Sequence, residues 1–211
     1  MFRFARWESW WRRSAAMGVL AAGLSMVTPA MAATSQPTEL VRGVTTQIVA
    51  LADAGVPAAE RQRRGEALLA ENVAVDRLAR AVLGRHWRSA SEAQRARFVE
   101  LLPGYLRATY GGRLGEAAGY RLELGTPRPS SGGDVVVPAQ ARRGNGAPVS
   151  IDWRLTQAAD GWRILDVVVE GVSLALAWRN EFDAVIGRQG IDGLLDQMAR
   201  RAETREVAAD S

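Results

Sequence analysis

Cysteine and lysine are absent from the 211 residues, and histidine occurs once, at position 86. Without cysteine there is no disulfide framework, no thiol nucleophile and no thiol for lipid attachment; without lysine there is no Schiff-base amine. One histidine cannot build a multi-histidine metal site. The 27 basic side chains are all arginine, a bias that fits genome composition better than recognition chemistry. A phosphate-cradling glycine-rich loop between a strand and a helix is also missing.

The basic charge is concentrated at one end. Arg3, Arg6, Arg12 and Arg13 against Glu8 hold +3 of the formal net +4, and the remainder of the chain is close to neutral. An apolar stretch, Ala15 to Val27, follows, and then Ala30-Met31-Ala32, the small-x-small pattern of a signal peptidase site. Residues 1–32 therefore read as a cleavable secretory signal. The apolar stretch is short against the roughly 20 residues of a spanning helix, and Thr28-Pro29 interrupts it. Once this segment is removed, no concentrated basic face is left to support nucleic-acid binding.

The rest of the chain divides into a helical half and a mostly β half. Leu40, Val41, Val44, Ile48 and Leu51 fall at helical spacing between Thr38 and Ala54. A polar segment with Arg61, Arg63 and Arg64 leads to Val75, Leu78, Val82 and Leu83, closed by Gly84. Ser91-Glu92-Ala93-Gln94 has the pattern of a capping box and predicts a long helix. Phe98, Leu101, Leu102, Tyr105, Leu106, Thr109, Tyr110 and Leu114 give that helix a broad stripe, which fits either core packing from two sides or the lining of a cavity. Pro103 lies inside it and predicts a kink or break near Val99 to Pro103.

After Gly119 the apolar period changes to 2. Tyr120 to Leu124, Val135 to Val137, Val149 to Leu155 and Trp162 to Val169 read as four antiparallel strands, with hairpins at Gly144-Asn145-Gly146 and Asp160-Gly161. One apolar face of this meander must be covered by the helices, which makes the fold class α+β. Ile164, Leu165, Val167, Val168 and Val169 put apolar groups on both faces of the last strand. From Ser173 a helix is predicted through Trp178 to Ile186. A break at Gly187 to Gly190 precedes a last amphipathic helix with Ile191, Leu194, Leu195 and Met198, and a charged, frayed tail starts at Arg200.

Catalytic chemistry is sparse. His86, in Gly84-Arg85-His86-Trp87, reads as a surface or hydrogen-bonding residue. Asp152, Asp166 and Glu170 could supply an acid/base pair, but such residues more often cap strands, and Glu170 is placed to pair with Arg179. The residues favour a protein that is not an enzyme; no cofactor or metal is expected.

Several blocks together carry a family resemblance. They are Val82-Leu83-Gly84 leading to Trp87-Arg88-Ser89-Ala90, Gln94-Arg95 with Phe98, Tyr105-Leu106 and Tyr110. They continue with Gly161-Trp162 before Asp166-Val167, Val169-Glu170-Gly171-Val172-Ser173-Leu174, Arg179-Asn180-Glu181-Phe182 and Gly190-Ile191-Asp192-Gly193-Leu194. In this order, from about Leu40 to Met198, the sequence resembles the MlaC family, also called the toluene-tolerance auxiliary family. It departs from the family pattern at His86, at Pro103-Gly104 and at Glu116-Ala117-Ala118-Gly119.

The resemblance implies a curved four-stranded antiparallel sheet of the NTF2-like kind, packed against a helical subdomain and enclosing an apolar lipid cavity. It implies a periplasmic phospholipid carrier that exchanges cargo with an inner-membrane MlaFEDB-type complex and an outer-membrane MlaA-type lipoprotein at porins, and so maintains outer-membrane lipid asymmetry. The corresponding division is a signal at 1–32, a lipid-binding domain at 33–200 and a charged tail at 201–211. Within the domain, 33–118 is helical, 119–170 forms the sheet and 171–200 the C-terminal helices. Carriage of a hopanoid, as in the related HpnM branch, is one alternative; an NTF2-like enzyme using Asp152 or Asp166 is another.

At about 0.8 kcal/mol per buried methylene, two acyl chains of some sixteen carbons need roughly 20 to 25 kcal/mol of shelter from water. A bilayer already supplies it, so a carrier must match the bilayer closely enough both to take up and to release lipid. This calls for a deep, dry cavity near or above the top of the roughly 300 to 1,000 Å³ range of ligand pockets. The expected wall is Phe98, Leu102, Tyr105, Leu106, Tyr110, Val137, Ile151, Trp153, Ile164, Val167, Val169 and Leu174.

Overall fold

A computed structural model describes residues 30–53, 55–110 and 116–209. The signal expected at 1–32 lies, but for its last three residues, outside the described residues. Helix α1 (Ala30–Asp53) buries Val41, Val44 and Leu51, which recur on one face at the helical period. Thr45 is buried on the same helix, and its hydroxyl donates to the Val41 carbonyl at 2.7 Å. Helix α2 (Ala58–Asn72) occupies the segment read above only as polar. Glu60 in its first turn pairs with Arg63 and, at 2.6 Å, with Arg64, and Leu68 is buried further along.

Helix α3 (Val75–Leu83) buries Leu78, Ala79, Val82 and Leu83. After the single turn α4 (His86–Ser89), helix α5 (Glu92–Tyr110) opens on the predicted capping box. The Ser91 N–H donates to Gln94 Oε1 at 2.9 Å, and the Gln94 N–H donates to Ser91 Oγ at 3.2 Å. Contrary to expectation, α5 runs unbroken through Pro103. An interior proline costs about 3 kcal/mol. Phe98, Leu102, Tyr105 and Leu106, on both sides of it, are almost fully buried, and each contributes roughly 1.5 to 3 kcal/mol.

Strands β1 (Tyr120–Leu124), β2 (Arg128–Pro129), β3 (Val135–Arg143), β4 (Val149–Ala158), β5 (Gly161–Val169) and β6 (Val172–Ser173) form one antiparallel sheet. The order is β1-β3-β4-β5-β6, with β2 on the edge of β3. The four main strands are the expected meander. At the first hairpin the Gly146 N–H closes onto the Arg143 carbonyl at 3.1 Å, and at the second Ala158 pairs with Gly161. Asp134, almost wholly buried at the start of β3, is ion-paired to Arg154 at 2.7 Å and to Arg77 of α3 at 3.2 Å.

The doubly apolar character of β5 has a structural cause. Arg154 pairs with Asp166 but Leu155 pairs with Ile164, so Leu165 is the extra residue of a β-bulge. A bulge interrupts the alternation of side chains and bends the strand, and Ile164 and Leu165 are consecutive and both buried. The Ile164 carbonyl accepts the Ala74 N–H at 2.9 Å, tying the α2–α3 link to the bend. At the other end of β5, Glu170 and Gly171 both have positive φ, 48° and 79°, as a two-residue hairpin loop requires. Glu170 does not pair with Arg179 as expected: its backbone N–H donates to the Ser150 carbonyl, and its carboxylate accepts the Ser150 N–H.

Helix α6 (Leu174–Ala209) is interrupted at Gly190, where φ is 72° and ψ 176°. The predicted break is there, confined to one residue. The expected fraying from Arg200 is not seen, because helix continues to Ala209.

Two apolar clusters organise the core. One joins α3, α5 and α6, where the Phe182 ring stands edge-on to Phe98 at 5.7 Å and to Tyr105 at 5.3 Å between centroids. The other joins Val41 and Val44 of α1 to Val137, Ala139, Trp153, Leu155 and Ile164 of the sheet.

Candidate functional site

A cavity of about 260 Å³ opens where these clusters meet. Val44 and Ile48 line it from α1, Leu68 and Leu69 from α2, Leu106 from α5 and Trp153 from β4. Ile164, Leu165 and Val167 line it from β5, and Leu174 and Trp178 from α6. The bulge at Leu165 brings three of the four β5 residues Ile164 to Val167 to the wall as hydrocarbon. Such a surface shelters apolar chains by removing their area from water. The volume is smaller than expected and lies below the roughly 300 Å³ lower bound of ordinary ligand pockets.

Of the expected wall, Leu106, Trp153, Ile164, Val167 and Leu174 line this cavity. Phe98, Leu102 and Tyr105 lie in the packed helical cluster. Val137 and Ile151 belong to the cluster between α1 and the sheet, and Val169 is half-buried at the end of β5. The side chain of Tyr110 is outside the described residues. The wall contributed by α1 and α2 was missed: α2 was not anticipated as a helix, and the stripe of α1 reads equally well as core.

Three charged residues interrupt the apolar lining: Glu66, Arg107 and Asp166. Arg107 Nη1 donates to Glu66 Oε1 at 2.9 Å. Asp166 Oδ1 accepts the N–H groups of Val167 at 2.8 Å and Ala175 at 2.9 Å, while Oδ2 accepts the Ser173 hydroxyl. Its lone pairs are thus engaged in starting α6. Asp152 lies on β4 away from the cavity lining and pairs with Arg128 at 2.6 Å. Trp153 is more than nine-tenths buried, and its indole N–H has no hydrogen-bond partner among the described residues.

His86 closes a surface contact, with Nε2 2.7 Å from Asp183 Oδ1 and Arg85 2.7 Å from the same oxygen. These neighbours hold the Asp183 carboxyl below its ordinary range, the His86 hydrogen bond foremost. Among the described residues no group of three His, Asp or Glu could hold a metal ion, and no helix is long and apolar enough to cross a membrane. Val172 and Leu176, on either side of Leu174 in the chain, are the exposed large hydrophobic residues among those described.

Residues 43–200 match the family described as MlaC protein. The chain belongs to the MlaC family. Among its relatives is the toluene tolerance protein ttg2D of Pseudomonas putida, 23% identical over 189 residues, which span 85% of this chain and 87% of that protein. The MlaC binding protein of the intermembrane phospholipid transport system of Haemophilus influenzae is 23% identical over 125 residues, 57% of this chain and 58% of that one. A solved phospholipid-binding protein from Ralstonia solanacearum, in complex with a phospholipid, shares the fold. It has a TM-score of 0.65 and 23% identity, over 82% of this chain and 97% of that one.

Proposed function

We propose that this chain is a periplasmic phospholipid carrier, exported by its N-terminal segment, that holds acyl chains in the cavity between α1, α2, α5 and the bulged strand β5. The carrying observation is that cavity: an apolar space walled by both halves of the fold. Membership of the MlaC family and the phospholipid in the Ralstonia relative support the reading. Cargo is exchanged between an inner-membrane MlaFEDB-type complex and an outer-membrane MlaA-type lipoprotein with its porin, which maintains outer-membrane asymmetry. The protein performs no catalysis. Two full acyl chains exceed 260 Å³, so loading requires the walls of the cavity to move apart.

Native mass spectrometry of the mature protein, purified gently from a Gram-negative periplasm, tests this. A one-to-one adduct of phospholipid mass is expected after release and identification of the small molecule. A hopanoid mass would instead assign the chain to the HpnM-like branch. A lipid-free mass that liposomes cannot change would overturn the carrier reading.

A further inference from the structure

The cavity lining is apolar except where α2 faces α5 and where β5 meets α6. At the second place Asp166 is committed to Val167, Ser173 and Ala175, and removing it would dismantle the start of a helix. At the first, Glu66 and Arg107 meet at 2.9 Å. Theirs is a side-chain contact between two helices, in which an incoming anion can take the place of the carboxylate.

The two partners are unequally withdrawn from water: the Arg107 side chain is 15% exposed, that of Glu66 36%. A buried charge stripped of its partner is strongly disfavoured, whereas a carboxylate already near solvent moves into it at small cost. The pair therefore opens for an occupant that brings its own negative charge to Arg107. A guanidinium, with its planar fork of donors, matches phosphate oxygens two at a time.

We propose that Arg107 reads the phosphate of the cargo and that Glu66 is its placeholder, displaced as the tails enter. One anion leaves the guanidinium and another takes its place; no proton or covalent bond moves. The inference rests on the lipid-carrier reading and adds a selectivity to it: lipids with a phosphodiester are favoured over uncharged lipids with the same tails.

The test offers the mature chain vesicles of dioleoyl phosphatidylglycerol doped with dioleoylglycerol, and scores bound lipid per mole offered by native mass spectrometry. The unmodified protein should prefer the phospholipid by about tenfold or more, the value of a charge-assisted hydrogen bond. Arg107→Met should lose that preference and still load dioleoylglycerol; Arg107→Lys should keep part of it. Glu66→Gln should raise phospholipid uptake, because the competing anion is gone.

An Arg107→Met protein with an unchanged preference overturns the inference, as does Glu66→Gln without a gain. If circular dichroism shows Arg107→Met unfolded, Glu66→Gln decides. Inorganic phosphate separates a lipid phosphodiester from a free anion: loading indifferent to it supports the lipid, and phosphate retained in place of lipid overturns the proposal. An unmodified protein that takes up both lipids equally sinks this inference alone; one that takes up neither sinks the carrier reading.

Discussion

Asp166 accepts the backbone N–H of Ala175 at 2.9 Å, so a carboxylate on β5 satisfies one of the free donors at the start of α6. The Ser173 hydroxyl donates to the same carboxylate and in turn accepts the Leu176 N–H at 3.0 Å. Strand, hairpin loop and helix are joined through two side chains, which explains why the aspartate and the serine bracket the Glu170-Gly171 turn. Asp166→Ala should lower stability by about 2 kcal/mol, the scale of a lost cap plus stranded donors. Asp166→Asn, which retains an acceptor oxygen, should cost less. Urea unfolding midpoints measure both.

Gly84 joins α3 to α4 with φ of 53°, and a Cβ there would run into the Arg179 guanidinium. Gly84→Ala should destabilise by about 1 to 3 kcal/mol through backbone strain. Arg179 is exposed and can move aside. Adding Arg179→Ala should therefore recover little of the loss; recovery of most of it would assign the effect to the clash. A double-mutant cycle by thermal unfolding distinguishes the two.

The parts of this fold that were legible in the sequence are local. Ser91 and Gln94 are three residues apart and make their reciprocal bonds whatever surrounds them. Gly144 and Gly190, at φ of 55° and 72°, act through their own backbone angles. Helix α2 was illegible because Glu60, Arg63 and Arg64 give it a solvated face, and its few apolar residues gain meaning only against α1, α5 and β5. Pro103 misled because its local penalty is visible in the sequence, while the burial of Phe98 and Tyr105 that outweighs it is long-range. The bulge at Leu165 is set by the pairing of β4 with β5, so the double apolar run of β5 signalled that something was unusual without giving its form. For the cavity, Leu106 and Val167 were foreseeable as apolar wall, but not the meeting of Glu66 with Arg107, 41 residues apart.

Tyr105 provides a pH test of the helical cluster. Burial first, and then the hydrogen bond and charge of Glu181, push its phenol up from 10.0 to about 12. The folded protein therefore holds this proton more tightly than the unfolded chain. The resulting stability is fully present below pH 10 and is lost as the pH rises towards 12. Tyr105→Phe should remove that part of the alkaline decline, at the cost near neutrality of the 2.9 Å bond to Glu181. Chemical denaturation of both proteins between pH 9 and pH 12 checks the sign: curves that stay parallel would exclude Tyr105 as its source.

Cavity wall and packed core can be separated by adding bulk. Leu102 is wholly buried in the helical cluster, so Leu102→Trp must displace neighbours and should cost about 1 to 3 kcal/mol or more. Val167 faces the cavity, and the new ring of Val167→Trp can enter space that no side chain occupies, so its stability loss should be the smaller of the two. Lipid loading should respond in the opposite sense per unit of stability lost, since the ring at position 167 takes volume from the acyl chains. Urea unfolding and lipid uptake from liposomes, measured on both variants, give the comparison. If Val167→Trp is the more destabilising and loads lipid normally, the tails lie elsewhere, and the space beside β5 is ordinary core that the helices close over.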